Sequence, residues 1–460
     1  MAAAPAWRPS PRQLAIAGAL ASAITIACYC AFIATHPAAR WLDAVDLHVY
    51  RLGGMVALRD RPRYNPRLAA PLYDWPGYGL QFTYPPFAAM LFTVLVLPSW
   101  VVTQAIWLVV SILAVAGAIW ATLGGLGYRA GLTRVGATLL LAAVLFWIEP
   151  VQRTLYLGQV ELVLMALIMW DLSQPDRRWW KGAAVGLAAG IKLVPLVFIP
   201  YLLLTRRFRQ AGVAAGTFAL TVVLGFVVLP ADSRAWWLNG LFLQGRRTGF
   251  VGWEGNQSLQ GLITRLSGSI ASGEPVWLAV AAVTLIAGLA AAVILDRAGH
   301  RTVAVLTCAL TGLLVSPVSW DHHWVWLVPG VTALVVYGVR ARGVVRGAFL
   351  AGAVLVAGLF GAWPGFLWGQ PLDLGGFSEG LIWIPPNTNP GVFARFGDRP
   401  SYAEYHWHGF DLLFGNLYVL TGLALLILLV VLAALAERTR RRRRAAEATR
   451  RRKLEPAARS

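Results

Sequence analysis

Apolar runs of about one bilayer thickness, parted by short polar breaks, fill most of this 460-residue chain. The first run extends from Leu14 to about Ala34 behind Arg8 and Arg12. It is roughly 20 residues long and has no clear small-residue cleavage site, so it reads as an uncleaved first helix rather than a signal peptide. In the second half, runs near 211–230, 277–296, 302–316, 323–340, 345–364 and 410–435 each suit one crossing. The first half is less regular: 86–122 is broken at Pro98-Ser99, and 182–204 is interrupted by Lys192 and Pro195. Either every apolar run crosses, or 86–122 makes one net crossing and 182–204 is re-entrant. The pattern predicts an all-α polytopic membrane protein with about 10–12 transmembrane helices and short helices in its outer loops.

Charge placement orients these spans. Arg206, Arg207, Arg209, Arg297, Arg301, Arg340, Arg342 and Arg346 share one side, as does the cluster from Arg438 to Arg444 after the last span. An excess of Lys and Arg marks the cytoplasmic side. Only the re-entrant arrangement also brings Arg129, Arg134, Arg177, Arg178 and Lys181 there, and it is preferred for that reason. Loops 35–85, 231–276 and 365–409, with the turn 317–324, then face outward together and read as a lid over a membrane cavity. None is long enough for a core of its own. Residues 1–436 therefore predict one membrane domain, and 437–460 a basic cytoplasmic tail that also attracts anionic lipid.

Composition agrees, since 58% apolar and 13% charged residues with a mean hydropathy of +0.61 exclude a soluble globular chain. A net charge of +19 would suggest a nucleic-acid partner in a soluble protein, but here it is concentrated at membrane boundaries, which argues for membrane lipids and against nucleic acid. The 21 tryptophans supply interfacial belts and flat surfaces for sugars or lipid tails. Cys28, Cys30 and Cys308 all lie in apolar runs, so neither a disulfide framework nor a cysteine zinc site is indicated.

The candidate chemistry lies on the outer face. Asp46, in Val45-Asp46-Leu47-His48-Val49-Tyr50, puts a carboxylate at the bilayer edge; the plain alternative is a helix N-cap, and Asp43 is a competing carboxylate. In Trp320-Asp321-His322-His323-Trp324 a histidine pair opens a span. Adjacent helical residues point about 100° apart, which makes joint metal coordination awkward without His406 or His408. One imidazole donating to a phosphate is the favoured reading, and interfacial capping the plain one. Arg246 and Arg247 suit phosphate or phosphoinositol oxygens, or simply anchor to lipid. Glu254, Asn256 and Gln257 offer polar groups to sugar hydroxyls. Lys192 is an ionisable group inside an apolar run, with Glu161 its candidate partner, and Gln159 and Glu149 fall near the same face. Phe82-Thr83-Tyr84-Pro85-Pro86-Phe87 reads as the architectural start of a span.

Taken in order, Asp-Leu-His-Val-Tyr after the first span, Phe-Thr-Tyr-Pro-Pro-Phe, Gly158-Gln159, Gly190-Ile191-Lys192-Leu193-Val194-Pro195, Asn256-Gln257-Ser258-Leu259 and Ser316-Pro317-Val318-Ser319-Trp320-Asp321-His322-His323 resemble glycosyltransferase family 87, over roughly residues 10–435. These are actinobacterial enzymes of the GT-C fold that use polyprenyl-phosphate sugars. The resemblance implies inverting alpha-1,2-mannosyl transfer from polyprenyl-phosphate-mannose to a phosphatidylinositol mannoside on the outer face of the plasma membrane. Asp46 matches the family's catalytic aspartate, and His322 or His323 its histidine near the donor phosphate. His48, Tyr50, Gln159, Glu161, Lys192, Arg246, Arg247, Glu254, Asn256 and Gln257 complete the candidate substrate contacts. No metal or cofactor is implied, because a polyprenyl phosphate already leaves readily and inversion then needs one base. Rival readings are arabinofuranosyl transfer to a cell-wall polysaccharide by a family sibling, a lipid-linked-sugar flippase or transporter, and a structural partner of a cell-wall complex. Against transport, no internal repeat is evident.

Overall fold

The computed structural model describes residues 9–35, 42–58, 72–73, 80–363, 379–388 and 398–454. Its helices, in order, are α1 (Pro11–Thr35), α2 (Val45–Ala57), α3 (Pro86–Leu91), α4 (Trp100–Gly125), α5 (Leu132–Leu145), α6 (Glu149–Leu157), α7 (Glu161–Ser173), α8 (Ala183–Ile191), α9 (Phe198–Leu204), α10 (Phe208–Val228), α11 (Pro230–Ser233), α12 (Leu259–Ser267), α13 (Ile270–Arg297), α14 (Arg301–Val315), α15 (Leu327–Arg340), α16 (Gly343–Leu359), α17 (Gly409–Phe414) and α18 (Leu417–Leu454). Among the described residues the only extended pairings are isolated bridges, Ile148 with Gly361 and Asn256 with Trp320. The protein is an all-α, multi-pass membrane protein.

Among the described residues six helices are long and apolar enough to cross a bilayer, or seven if α6 and α7, bent by 119°, form one broken span. The further crossings expected from the sequence correspond to apolar helices of 10–17 residues. Lipid-facing flanks are plain on α1, where Ile16, Leu20 and Ile24 are exposed, and on α10, where Val223 and Val227 are. The two irregular stretches break where proline and lysine stand. Pro86 occupies the first turn of α3, a position that needs no N–H. A 3₁₀ turn, Phe92–Val96, follows, and the chain is broken at Pro98-Ser99 before α4 begins. Likewise α8 stops at Lys192, which is extended at φ −146° and ψ 135°, ahead of the 3₁₀ turn Val194–Val197.

Small residues set the approach of α8 to α10. A Cβ on Gly186 would stand 2.2 Å from the Ala214 carbonyl oxygen, and one on Gly190 2.4 Å from Thr221 Oγ1. With Gly182 these form a small-xxx-small-xxx-small row of the kind that lets membrane helices touch backbone to backbone. The N-terminus of α8 is held by Asp171, whose carboxylate accepts from the backbone N–H groups of Gly182, Ala184 and Val185.

Basic residues gather at one end of the bundle. Asp176, in the α7–α8 connection, pairs with Arg301, Arg207 and Lys181, and Arg207 also pairs with Asp296. These cations hold the Asp176 carboxyl below the usual carboxylate range despite its partial burial. The α4–α5 turn lies at that end too, since Arg340 donates to the Leu126 carbonyl at 2.7 Å and Arg134 lies over Trp120. Thus Arg134, Arg178 and Lys181 share an end with Arg207, Arg301 and Arg340, as the re-entrant reading requires. Chain connectivity carries Glu161, Lys192, His323 and Asp46 to the opposite end.

Candidate active site

Asp46 sits in the first turn of α2, not at its cap. The cap position is Ala44, in the left-handed region at φ 51°, and no side chain caps the helix. Ala44 donates its N–H to the Tyr156 carbonyl at 2.8 Å, which ties the start of α2 to α6. Close packing finishes the placement, because a Cβ at Gly158 would meet Leu47 Cβ at 2.7 Å and one at Gly54 would meet the Phe92 carbonyl oxygen at 2.5 Å. Gly158 is also at φ 71°. Gly158→Ala is therefore expected to lower stability by about 1–2 kcal/mol through the left-handed backbone alone. It should also push α2 outward and slow turnover; normal turnover in thermally weakened protein would show that Asp46 is not positioned through Gly158.

Around Asp46 the side chains form a ladder. Gln159 Oε1 accepts from the hydroxyls of Tyr50 at 2.6 Å and Tyr84 at 3.2 Å, which leaves its amide N–H₂ for the Asp46 carboxylate. Tyr50 is fully buried and stacks on Phe92 at 4.5 Å. Burial raises the Asp46 pKa above the usual carboxylate range; His322, the Gln159 hydrogen bond, Lys192 and Arg153 pull it back part of the way.

Asp46 opens onto a cavity of about 200 Å³ whose walls include Tyr84, Gln159, Lys192, Arg247 and His323. Among the described lining residues Asp46 is its one carboxylate. Lys192 pairs with Glu161, contacts His323 Nε2 at 2.9 Å and lies over the Tyr84 ring at 5.6 Å. Arg247 donates to the Tyr73 carbonyl while keeping a face on the cavity. Behind the histidines, His322 Nδ1 meets Asp321 Oδ1 at 3.1 Å, and Asp321 Oδ2 meets Arg153 Nε at 3.3 Å. Glu149 is held by Tyr418 at 2.9 Å and Trp383 at 3.2 Å. His322 Nε2 is buried and has no hydrogen-bond partner among the described residues. Contrary to the divergence expected of adjacent residues, ligand atoms of His322, His323 and Glu161 come within 4.8 Å of one another.

The structure thus brings Asp46, Gln159, Lys192, Arg247 and His323 to one cavity, with Tyr50, Glu161 and His322 packed directly behind. It does not bring four other candidates there. His48 points away from the cavity wall onto Trp100, ring centres 5.0 Å apart. Asn256 and Gln257 have fully engaged amides. Asn256 donates to the carbonyls of Val251 and Pro317 and accepts from the N–H groups of Ser258 and Ser319. Gln257 donates to Glu254 and Gly415 and accepts from Tyr418 and Val419. The Asn256 bonds, with backbone bonds from Gln257 N–H to Ser319 and from Asp321 N–H to Gly255, hold the Ser319-Trp320-Asp321 turn ahead of the histidines, while the Gln257 side chain ties this segment to the start of α18. Glu254 is buried elsewhere, its pKa raised well above normal by burial and by the charge of Glu404, near Arg265, which burial lowers to about 10. The side chain of Arg246 lies outside the described residues. Arg153 and Tyr84 join the site in addition to the residues expected from the sequence; the sequence carries a signal for Arg153, since Glu149 and Arg153 stand four apart inside an apolar stretch.

The fold sets these residues around a cavity in a multi-pass membrane protein. A sequence profile of glycosyltransferase family 87 matches residues 82–317. The chain is 35% identical over 324 residues to a polyprenol-phosphate-mannose-dependent alpha-(1-2)-phosphatidylinositol mannoside mannosyltransferase of Mycobacterium tuberculosis, covering 68% of this chain and 75% of that one. It is 37% identical over 292 residues to the Mycolicibacterium smegmatis enzyme named for phosphatidylinositol pentamannoside, covering 62% of this chain and 68% of that one. No solved structure matches. The chain belongs to glycosyltransferase family 87 and is a glycosyltransferase.

Proposed function

We propose that the chain transfers mannose, with inversion, from polyprenyl-phosphate-mannose to a mannosyl hydroxyl of a phosphatidylinositol mannoside, forming an alpha-1,2 linkage at the extracytoplasmic face of the plasma membrane. The observation that carries this reading is Asp46, the one carboxylate among the described lining residues, sharing one cavity with Lys192, Arg247 and His323. Asp46 takes the proton of the acceptor hydroxyl as its oxygen attacks the anomeric carbon. The polyprenyl phosphate leaves with the bonding electrons, and the cations receive its charge. A sugar phosphate needs no acid at the leaving oxygen, whereas a glycosidase needs a second carboxyl there. A groove of about 900 Å³ adjoins the cavity, shares Leu193, Val194, Phe242 and Pro317 with it, and suits an isoprenoid chain. The basic end of the bundle supports a cytoplasmic assignment for that end, and so an outward-facing Asp46.

The reading has a pH signature. Asp46 works only as the carboxylate, and its raised pKa means that activity is lost as pH falls through a value above the ordinary aspartate value of about 4. Gln159→Leu removes a group that favours the charged form, so the acid limb of kcat/KM moves further up. A limb at or below the ordinary value in wild type would contradict Asp46 as the base. Donor choice is tested by offering purified protein polyprenyl-phosphate-mannose beside polyprenyl-phosphate-arabinose. Mannose transfer is expected, and preference for arabinose would overturn the assignment.

A further inference from the structure

We propose that the ammonium of Lys192 is the resident cation of a ready-made Glu161–His322–His323 metal-ligand cluster, so that wild-type protein excludes divalent ions there and loss of the ammonium converts the cluster into a divalent-metal site. This deepens the proposed function by naming what stands where many group-transfer enzymes place a metal ion.

The ligand geometry is that of a metal site. Two ligand atoms 2.0–2.2 Å from a tetrahedral ion stand about 3.4 Å apart. His323 Nε2 and Glu161 Oε1 are 3.3 Å apart. The third residue, His322, brings a ring nitrogen within 4.8 Å of ligand atoms of the other two. His322 is also oriented as a metal ligand would be: its Nδ1 is 3.1 Å from Asp321 Oδ1, the carboxylate–histidine arrangement that fixes the tautomer and leaves Nε2 free for an ion. Two atoms of the cluster, His322 Nε2 and Glu161 Oε2, are buried without a hydrogen-bond partner among the described residues, so coordinating capacity is left over.

Lys192 occupies the place of the ion. Its Nζ contacts the same two atoms, Glu161 Oε1 and His323 Nε2, that a metal would bridge. Because the ammonium has only donors to offer, His323 Nε2 must accept, which keeps that imidazole neutral. Lys192 also lines the Asp46 cavity, which places it at the site the proposed function assigns to the substrate phosphate. A dication cannot bind the cluster while a unit positive charge rests on its ligand atoms.

The test is a Co²⁺ titration of full-length protein in detergent, read by the visible absorption of ligand-bound Co²⁺. Lys192→Met keeps the length of the side chain and removes the charge, and Lys192→Ala is the second variant. Both are expected to bind Co²⁺ at least about 100-fold more tightly than wild type, since a like charge in contact is gone. Adding His323→Ala should abolish the gain, which separates this cluster from the exposed His406 and His408. Wild type binding Co²⁺ at the cluster as tightly as the variants would overturn the proposal, as would two folded variants that gain no affinity. Should wild type fail to transfer mannose while the titration behaves as expected, the mannose reading falls and this inference stands.

Discussion

Asp46→Asn is expected to lower kcat by about 1,000-fold, within the range that a positioned general base supplies. The substitution keeps the side-chain shape and an oxygen that accepts from the Gln159 amide, so α2 and the cavity should be unchanged. What disappears is the ability to take the acceptor proton. Since that interaction matters in the transition state, kcat and kcat/KM should fall together while KM stays near the wild-type value. Steady-state kinetics on detergent-purified protein check this, with a thermal unfolding curve to show that the variant is folded. A KM-only defect would instead make Asp46 a binding group and leave the base unidentified.

Gln257→Leu is expected to damage the fold rather than substrate affinity. The side-chain amide serves four backbone groups, at Glu254, Gly415, Tyr418 and Val419, all in a region that excludes water. A leucine fills similar volume but leaves four buried groups unpaired. With each orphan worth about 1–3 kcal/mol, a loss of about 4 kcal/mol is the lower end of expectation. Yield and Tm in detergent should drop sharply, and surviving protein should bind acceptor with a near-normal KM. Were Gln257 a sugar contact, the reverse pattern would appear: an unchanged Tm and a raised KM.

That contrast locates what a linear sequence reveals here. Asp46, Lys192 and the proline breaks were legible because an ionisable group or a proline inside apolar sequence is costly unless the fold uses it. Asn256 and Gln257 attract the same attention, but residue type does not say whether an amide will meet a sugar or a carbonyl of its own chain, and here the chain takes both. His48 fails on phase. With α2 beginning at Val45, residues 46, 49 and 50 turn inward and 48 turns toward Trp100. Nor could the meeting of Glu161 with His322 and His323 be read, because it depends on how α7 packs against the turn before α15. Arg153 was visible as a charge in an apolar setting, while its partner, Asp321, lies 168 positions further along and is found only in the folded chain.

The most direct test is transfer of radiolabelled mannose from polyprenyl-phosphate-mannose to a phosphatidylinositol mannoside by the purified wild-type chain, with and without EDTA. Labelled, elongated glycolipid carrying a new alpha-1,2-linked mannose, formed at the same rate in both tubes, is the predicted result. Absence of transfer by folded protein, or transfer abolished by EDTA and restored by a divalent ion, would contradict a mechanism built on Asp46 and the Lys192 ammonium.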